Sequence, residues 1–281
     1  MIRSILTTVA VAASLTLAAC SGKSAPETVL LSAADSLHEG ILGWQKVTDG
    51  PVSLATEGIV DVDVEIFAGQ VTVITRPTIT KTTVTATRIG THGWDRERES
   101  MDSLGDIRYT ISLDRSSGTD RVVVRAATDH EEPHFQSLRI DIETPDLGNI
   151  RVITKRGPIW VENSRGSAEL ITTRSKIRMM TPWKLDAPLT LVTSDGDIDL
   201  RIRGESTGAV DAATVAGRVW TKVQYGEWIA TDSNNDIANL RATLNRGTNP
   251  ITLRTGNADI FLSVVPSPVT QNPAPPVRRV P

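Results

Sequence analysis

One cysteine, Cys20, is present in 281 residues, so no disulfide can form within the chain and no cysteine cluster can hold a metal. Aromatic residues make up only 4% of the chain, so its core must be built from Val, Ile, Leu and Ala. Basic blocks are missing and the formal net charge is −3, which argues against a nucleic-acid partner. The one long uncharged apolar run, from Ile5 to Ala19, falls short of the ~20 residues of a membrane-spanning helix. No glycine-rich phosphate loop links a strand to a helix, and no Ser or Thr has a motif-placed histidine. These absences remove phosphate-loop nucleotide-binding and serine-hydrolase signatures from consideration.

What the N-terminus does contain is an export signal. Arg3 precedes the apolar run, which ends in Leu17-Ala18-Ala19-Cys20. That ending resembles a bacterial lipobox, in which the cysteine receives a diacylglycerol after cleavage. The alternative, an ordinary signal peptide with a chance cysteine, must explain why the chain's one thiol stands where the lipobox needs it. The expectation is cleavage before Cys20, lipidation of Cys20 and anchoring to a membrane through that lipid. Ser21 follows, whereas Asp at that place would favour inner-membrane retention. The expected location is the cell envelope, on the outer membrane of a Gram-negative cell. Removing residues 1–19 takes away Arg3 alone, so the mature charge moves from −3 to −4.

The rest of the chain divides by composition. Residues 20–45 read as a lipidated polar tether with a short helix near 32–39. Residues 46–146 read as an N-terminal β region, either a cap or irregular first coils. In Val60-Asp61-Val62-Asp63-Val64-Glu65-Ile66, apolar groups alternate with carboxylates, the period of a strand with a solvated acidic face. Two charged loops, 93–102 and 128–134, interrupt the strands. The Pro-rich segment 266–281 suits a chain terminus that cannot extend a sheet.

Residues 147–265 repeat. A Thr-x-x-Gly corner recurs from Thr154, Thr172, Thr193, Thr214, Asp232 and Thr255, a period of about 20 residues. Five residues after each anchor stand Ile159, Ile177, Ile198, Val219, Ile237 and Ile260. Two before stand Val152, Leu170, Leu191, Ala212, Ala230 and Leu253; four before, Ile150, Ala168, Leu189, Val210, Trp228 and Ile251. Every position in these columns is apolar. A strand–corner–strand unit this short cannot bury its own apolar face, but stacked units can. The predicted fold is therefore all-β: a parallel β-solenoid of coils of about 20 residues with an N-terminal strand-rich capping region. Outward positions support the register, because Lys176, Asp197 and Arg218 alternate in sign, as do Arg178 and Asp199. The unit anchored at Asp232 fits worst, since it places Asp236 against Asp259 and Asn239 in an inward slot.

The corners Thr193-Ser194-Asp195-Gly196-Asp197-Ile198 and Thr214-Val215-Ala216-Gly217-Arg218-Val219, with the upstream Gly69-Gln70-Val71-Thr72-Val73, resemble the bacterial "putative adhesin" family of β-solenoid domains (the DUF4097 type) over roughly 56–265. The resemblance implies a non-enzymatic envelope protein, with adhesion or envelope-stress sensing as its role. It brings no catalytic residues. Ser175, Asn235 and Ala258 depart from the family's glycine at the corner.

The candidate chemistry is sparse. His130 and His134 lie among acids in Asp129-His130-Glu131-Glu132-Pro133-His134, but Pro133 breaks the helix that would bring them together, so this reads as a solvated loop with no metal. Asp195, Asp197 and Asp199 open like a calcium loop but lack its later ligands. Parallel β-helix enzymes on polysaccharides gather carboxylates, whereas here Asp197 and Asp199 stand among Lys176, Arg178 and Arg218. No cofactor is called for, and a non-enzyme is expected; a polysaccharide-active enzyme is the alternative. The candidate binding face is the column six residues after the anchor, Trp160, Arg178, Asp199, Trp220 and Phe261, where Trp160 and Trp220 would stand three coils apart and could stack on a glycan or dock an envelope protein. Trp94, Trp183 and Trp228 give no reading.

Overall fold

The structure, a computed structural model, describes residues 44–269. The expected signal peptide, Cys20, most of the tether with its helix, and most of the Pro-rich tail lie outside the described residues.

Period-two alternation makes Val60, Val62, Val64 and Ile66 the buried face of β2 (Val60–Ile66), which turns through Gly69 into β3 (Val71–Thr75). The same strand–corner–strand unit recurs as β8 (Leu147–Arg156) with β9 (Ile159–Glu162), β10 (Ala168–Arg174) with β11 (Ile177–Met180), and β12 (Leu189–Asp195) with β13 (Ile198–Ile202). It recurs again as β14 (Gly208–Thr214) with β15 (Val219–Val223), and β18 (Pro250–Thr255) with β19 (Ile260–Val264). A looser unit joins β6 (Asp120–Thr128) to β7 (Gln136–Thr144). The strands before the corners pair in one ten-stranded sheet, and those after them in a nine-stranded sheet.

The apolar columns are continuous across the units. In the nine-stranded sheet Ile140, Val71, Ile159, Ile177, Ile198, Ile260 and Val219 are successive register partners. All are buried, Val219 least at 7% exposed. In the ten-stranded sheet the matching column is Val124, Val64, Val152, Leu170, Leu191, Leu253 and Ala212. The two columns face each other and form the core, each large side chain contributing about 1.5–3 kcal/mol of burial.

The corner signature has a direct cause. Thr172 Oγ1 donates to the Gly157 carbonyl at 3.2 Å, Thr193 to Ser175 at 3.0 Å, Thr255 to Gly196 at 2.9 Å and Thr214 to Ala258 at 2.8 Å. Each buried threonine thus ties its own unit to the corner of the unit below. The glycine lets the corners approach: a β-carbon on Gly157 would lie 2.2 Å from the Gly69 oxygen, and one on Gly196 2.0 Å from the Ser175 oxygen. Ser175 and Ala258 carry side chains at the same corner place, so their coils meet this constraint differently.

Four expectations need correction. First, the units do not stack in sequence order, and the sheets are mixed. The β18/β19 unit lies between β12/β13 and β14/β15, and β2/β3 lies between β6/β7 and β8/β9. Only seven consecutive strands of each sheet are parallel; β1 (Gln45–Leu54) and β4 (Thr82–Gly90) in the nine-stranded sheet, and β5 (Ile107–Asp114), β16 (Trp228–Ala230) and β17 (Asn239–Leu244) in the ten-stranded sheet, pair antiparallel. Secondly, the unit anchored at Asp232 is not a coil. Ile237 is 50% exposed, and Trp228–Ala230 instead pair with β17, which covers the open edge of β14. With that edge taken, the next unit can reach only the other edge of β14, and so it inserts. Thirdly, the acidic face of β2 is solvated only at Glu65, which is exposed. Asp61 is 8% exposed and accepts the Asn149 backbone N–H at 2.8 Å, while Asp63 holds Arg125 at 2.6 Å and Arg151 at 3.1 Å. Fourthly, the charged loop 93–102 is structured: it forms a 3-10 turn and α1 (Glu97–Ser103), with Ser100 and Ser103 buried against the cap.

Candidate binding site

Five outward side chains of the nine-stranded sheet stand in one row. Register pairs Trp160 with Arg178, Arg178 with Asp199, Asp199 with Phe261 and Phe261 with Trp220. Short strands fix this row, because the residue after each buried Ile or Val must face out. The insertion of β19 changes the spacing: Trp160 and Trp220 are four strand steps apart, on the order of 19 Å, instead of three. All five side chains are half-buried.

Charge in the row is compensated. The Arg178 guanidinium sits 5.6 Å from the Trp160 ring centre, and its Nε lies 3.2 Å from Asp199 Oδ2, an ion-pair distance without hydrogen-bond alignment. Arg201, two residues further along β13, donates to both Asp199 oxygens at 3.0 and 2.7 Å. Glu162 lies beside this group on β9; burial pushes its carboxyl above the usual range, against the pull of Arg76 and Arg178. At the other end, Trp220 Nε1 donates to Asp259 at 3.0 Å, and the Arg218 guanidinium lies 5.8 Å from the Trp220 ring centre. The Trp160 Nε1 is buried without a partner.

The remaining sequence candidates are placed as follows. The expected sign alternation is realised between Arg178 and Asp199, but Asp259 intervenes between Asp197 and Arg218 and binds the backbone N–H of Arg218 at 2.8 Å. Asp195 and Asp197 accept hydrogen bonds from Asn257 and from the Asp259 backbone, so the calcium-like triplet is spread among protein donors. The 128–134 loop is exposed at Asp129, Glu131, Pro133 and His134, as read, while the His130 ring packs 5.0 Å from that of His92 and His134 stacks on Phe135 at 4.0 Å. Trp183 lies under Arg165, whose guanidinium is 3.6 Å from the ring centre, Trp94 is exposed, and Trp228 packs against the core.

A groove of about 530 Å³ adjoins the row at the capped end. Trp44, Lys46, Gln70, Arg139, Asp141, Arg156 and Pro158 line it. Asp141 pairs in register with Thr72, which neighbours Trp160, so groove and row share one face. Sequence reasoning missed this groove, because Trp44 falls in the expected tether and Arg139 and Arg156 belong to no repeated column.

No family model and no curated protein matches the chain. Among solved structures, a "putative cell adhesion protein" from Clostridium sporogenes superposes with a TM-score of 0.53 at 8% identity, covering 78% of this chain and 99% of that one. A "putative adhesin" from Bacteroides fragilis gives a TM-score of 0.28 at 11% identity over 78% and 97% of the two chains. The first likeness establishes a shared all-β fold, and at that identity it establishes the fold alone.

Proposed function

We propose that this chain is a lipid-anchored, non-enzymatic module of the cell envelope that binds a glycan or an envelope protein along the Trp160–Trp220 row. The stack of seven units is read as a β-solenoid closed by antiparallel strands, a rigid form suited to presenting one long face. The observation that carries the reading is the row itself: aromatic surface at Trp160, Phe261 and Trp220, held on one face with a compensated Arg178–Asp199 pair between. Aromatic faces stack on sugar rings or on a partner's apolar surface, whereas an acid clamped by two arginines is poorly placed to move protons. The fold shared with a "putative cell adhesion protein" is consistent with this role.

Glycan-array and cell-attachment assays on the double variant Trp160→Ala/Trp220→Ala test it. Binding weakened by tenfold or more is expected; binding equal to the parent would remove the row from the mechanism. Anchoring is tested separately: Cys20→Ser is expected to release the protein from the membrane fraction, and continued sedimentation with membranes would contradict lipidation.

A further inference from the structure

We propose that His92, Glu99 and Glu132 form a site for a single divalent transition-metal ion of the zinc type, at the capped end and away from the binding row. A ring nitrogen of His92 and one carboxylate oxygen from each glutamate lie within 4.8 Å of one another. Donors sharing a zinc ion at about 2.0–2.2 Å stand roughly 3–3.5 Å apart, so small rotations of two long glutamate side chains close the set. The three residues come from separate elements: His92 follows β4, Glu99 lies on α1, and Glu132 lies in the loop between β6 and β7.

An independent observation points to a ligand. His92 is 5% exposed, and its Nε2 is buried with no hydrogen-bond partner. Its other nitrogen, Nδ1, lies 3.3 Å from Ser100 Oγ, and the His92 backbone N–H donates to the same oxygen at 2.9 Å. An Nδ1–H donated to Ser100 leaves a bare lone pair at Nε2, the arrangement in which an imidazole binds a metal while its second nitrogen is fixed by a neighbour. The rings of Phe135 and His130 pack on His92, each 5.0 Å away between centres. His130 is not a ligand in this arrangement, because its Nδ1 accepts the Glu132 backbone N–H at 3.0 Å and its proton is therefore on Nε2.

Arg96 donates to both carboxylates, to each Glu99 oxygen at 2.5 Å and to one oxygen of Glu132. The guanidinium supplies the positive charge that two converging acids require, and it leaves the His92 nitrogen unsatisfied. A metal ion satisfies all three and competes with Arg96 for the acids. One imidazole with two carboxylates selects borderline ions such as zinc over calcium or magnesium, which prefer all-oxygen sets. Water or an external ligand would fill the open positions.

The test is calorimetric titration of the full-length chain, carrying Cys20→Ser to remove the thiol, with ZnCl2. One ion per chain is expected, with millimolar CaCl2 failing to displace it. Glu132→Gln and Glu99→Gln should each weaken binding at least tenfold, as should His92→Gln where circular dichroism shows it folded. Arg96→Gln should strengthen binding, and His134→Gln should leave it unchanged. Parent-like affinity in both glutamate variants, displacement by calcium, or loss confined to His134→Gln would each overturn the site.

Discussion

A β-carbon on residue 157 would lie 2.2 Å from the Gly69 carbonyl oxygen, with φ at 123°, so this glycine answers both a backbone and a packing demand. Gly118 offers the comparison, since its φ is 80° but nothing lies within 4 Å of the added atom. Gly118→Ala should cost about 1 kcal/mol for its backbone alone. Gly157→Ala should cost at least ~2 kcal/mol more, because the neighbouring corner must move. Urea unfolding of the two variants measures the difference, and equal costs would contradict the close approach. The threonine at each corner was legible as a repeated letter, yet its use was not. A periodic column shows which face a residue occupies but not which carbonyl its hydroxyl will meet. The same limit applied to Asp61 and Asp63, whose alternation with valines looks like any solvated strand face. Their partners Asn149, Arg125 and Arg151 are distant in sequence and lie in no shared motif.

At the scale of elements, Asp63 joins three strands, receiving Arg125 from β6 and Arg151 from β8 while it sits on β2. Burial raises its carboxyl's affinity for protons, but hydrogen bonds and charge from Arg125 and Arg151 outweigh burial and hold it below the usual carboxylate range. A depressed native value means that the unfolded chain binds the proton more readily, so the clamp's stabilisation is present above about pH 4 and fades as pH falls through the native value. Unfolding midpoints of the parent and Asp63→Asn should differ most above about pH 5 and converge towards about pH 2. A gap that widens on acidification would reverse the sign and refute the clamp. Strand positions were legible from period-two patterns wherever one face is core, from β2 to β19. The antiparallel pairing of β16 and β17 was not, because Trp228, Ala230 and Ile237 satisfy the same apolar template while the last two are exposed. Helix α1 was missed for the opposite reason: it is short, strongly charged and buries two serines instead of an apolar stripe.

For the molecule as a whole, the column rule identifies which side chains meet but does not fix the order of the units. Leu191 accepts Leu253 or Ala212 as its neighbour with nearly the same chemistry, so sequence order was the natural assumption. The order is set by edges. β17 occupies one side of β14, and β4 and β5 close the far end, so the terminal units of the stack are neither the first nor the last in the chain. Antiparallel strands thereby cover most of the open edges that a bare stack would present to other chains. The binding row inherits this order, since Phe261 separates Asp199 from Trp220 only because β19 is inserted.

Cross-linking tests that order most directly. In a Cys20→Ser background the chain has no other thiol, and Thr190, Thr252 and Asp211 form an outward row on β12, β18 and β14. Neighbouring strands bring α-carbons within the 4.4–6.8 Å span of a disulfide, whereas positions two strands apart lie roughly 10 Å from each other. Oxidation followed by mass spectrometry should show a disulfide in Thr190→Cys/Thr252→Cys and none in Thr190→Cys/Asp211→Cys. A bond in the second pair with none in the first would place the units in sequence order and contradict the inserted stack.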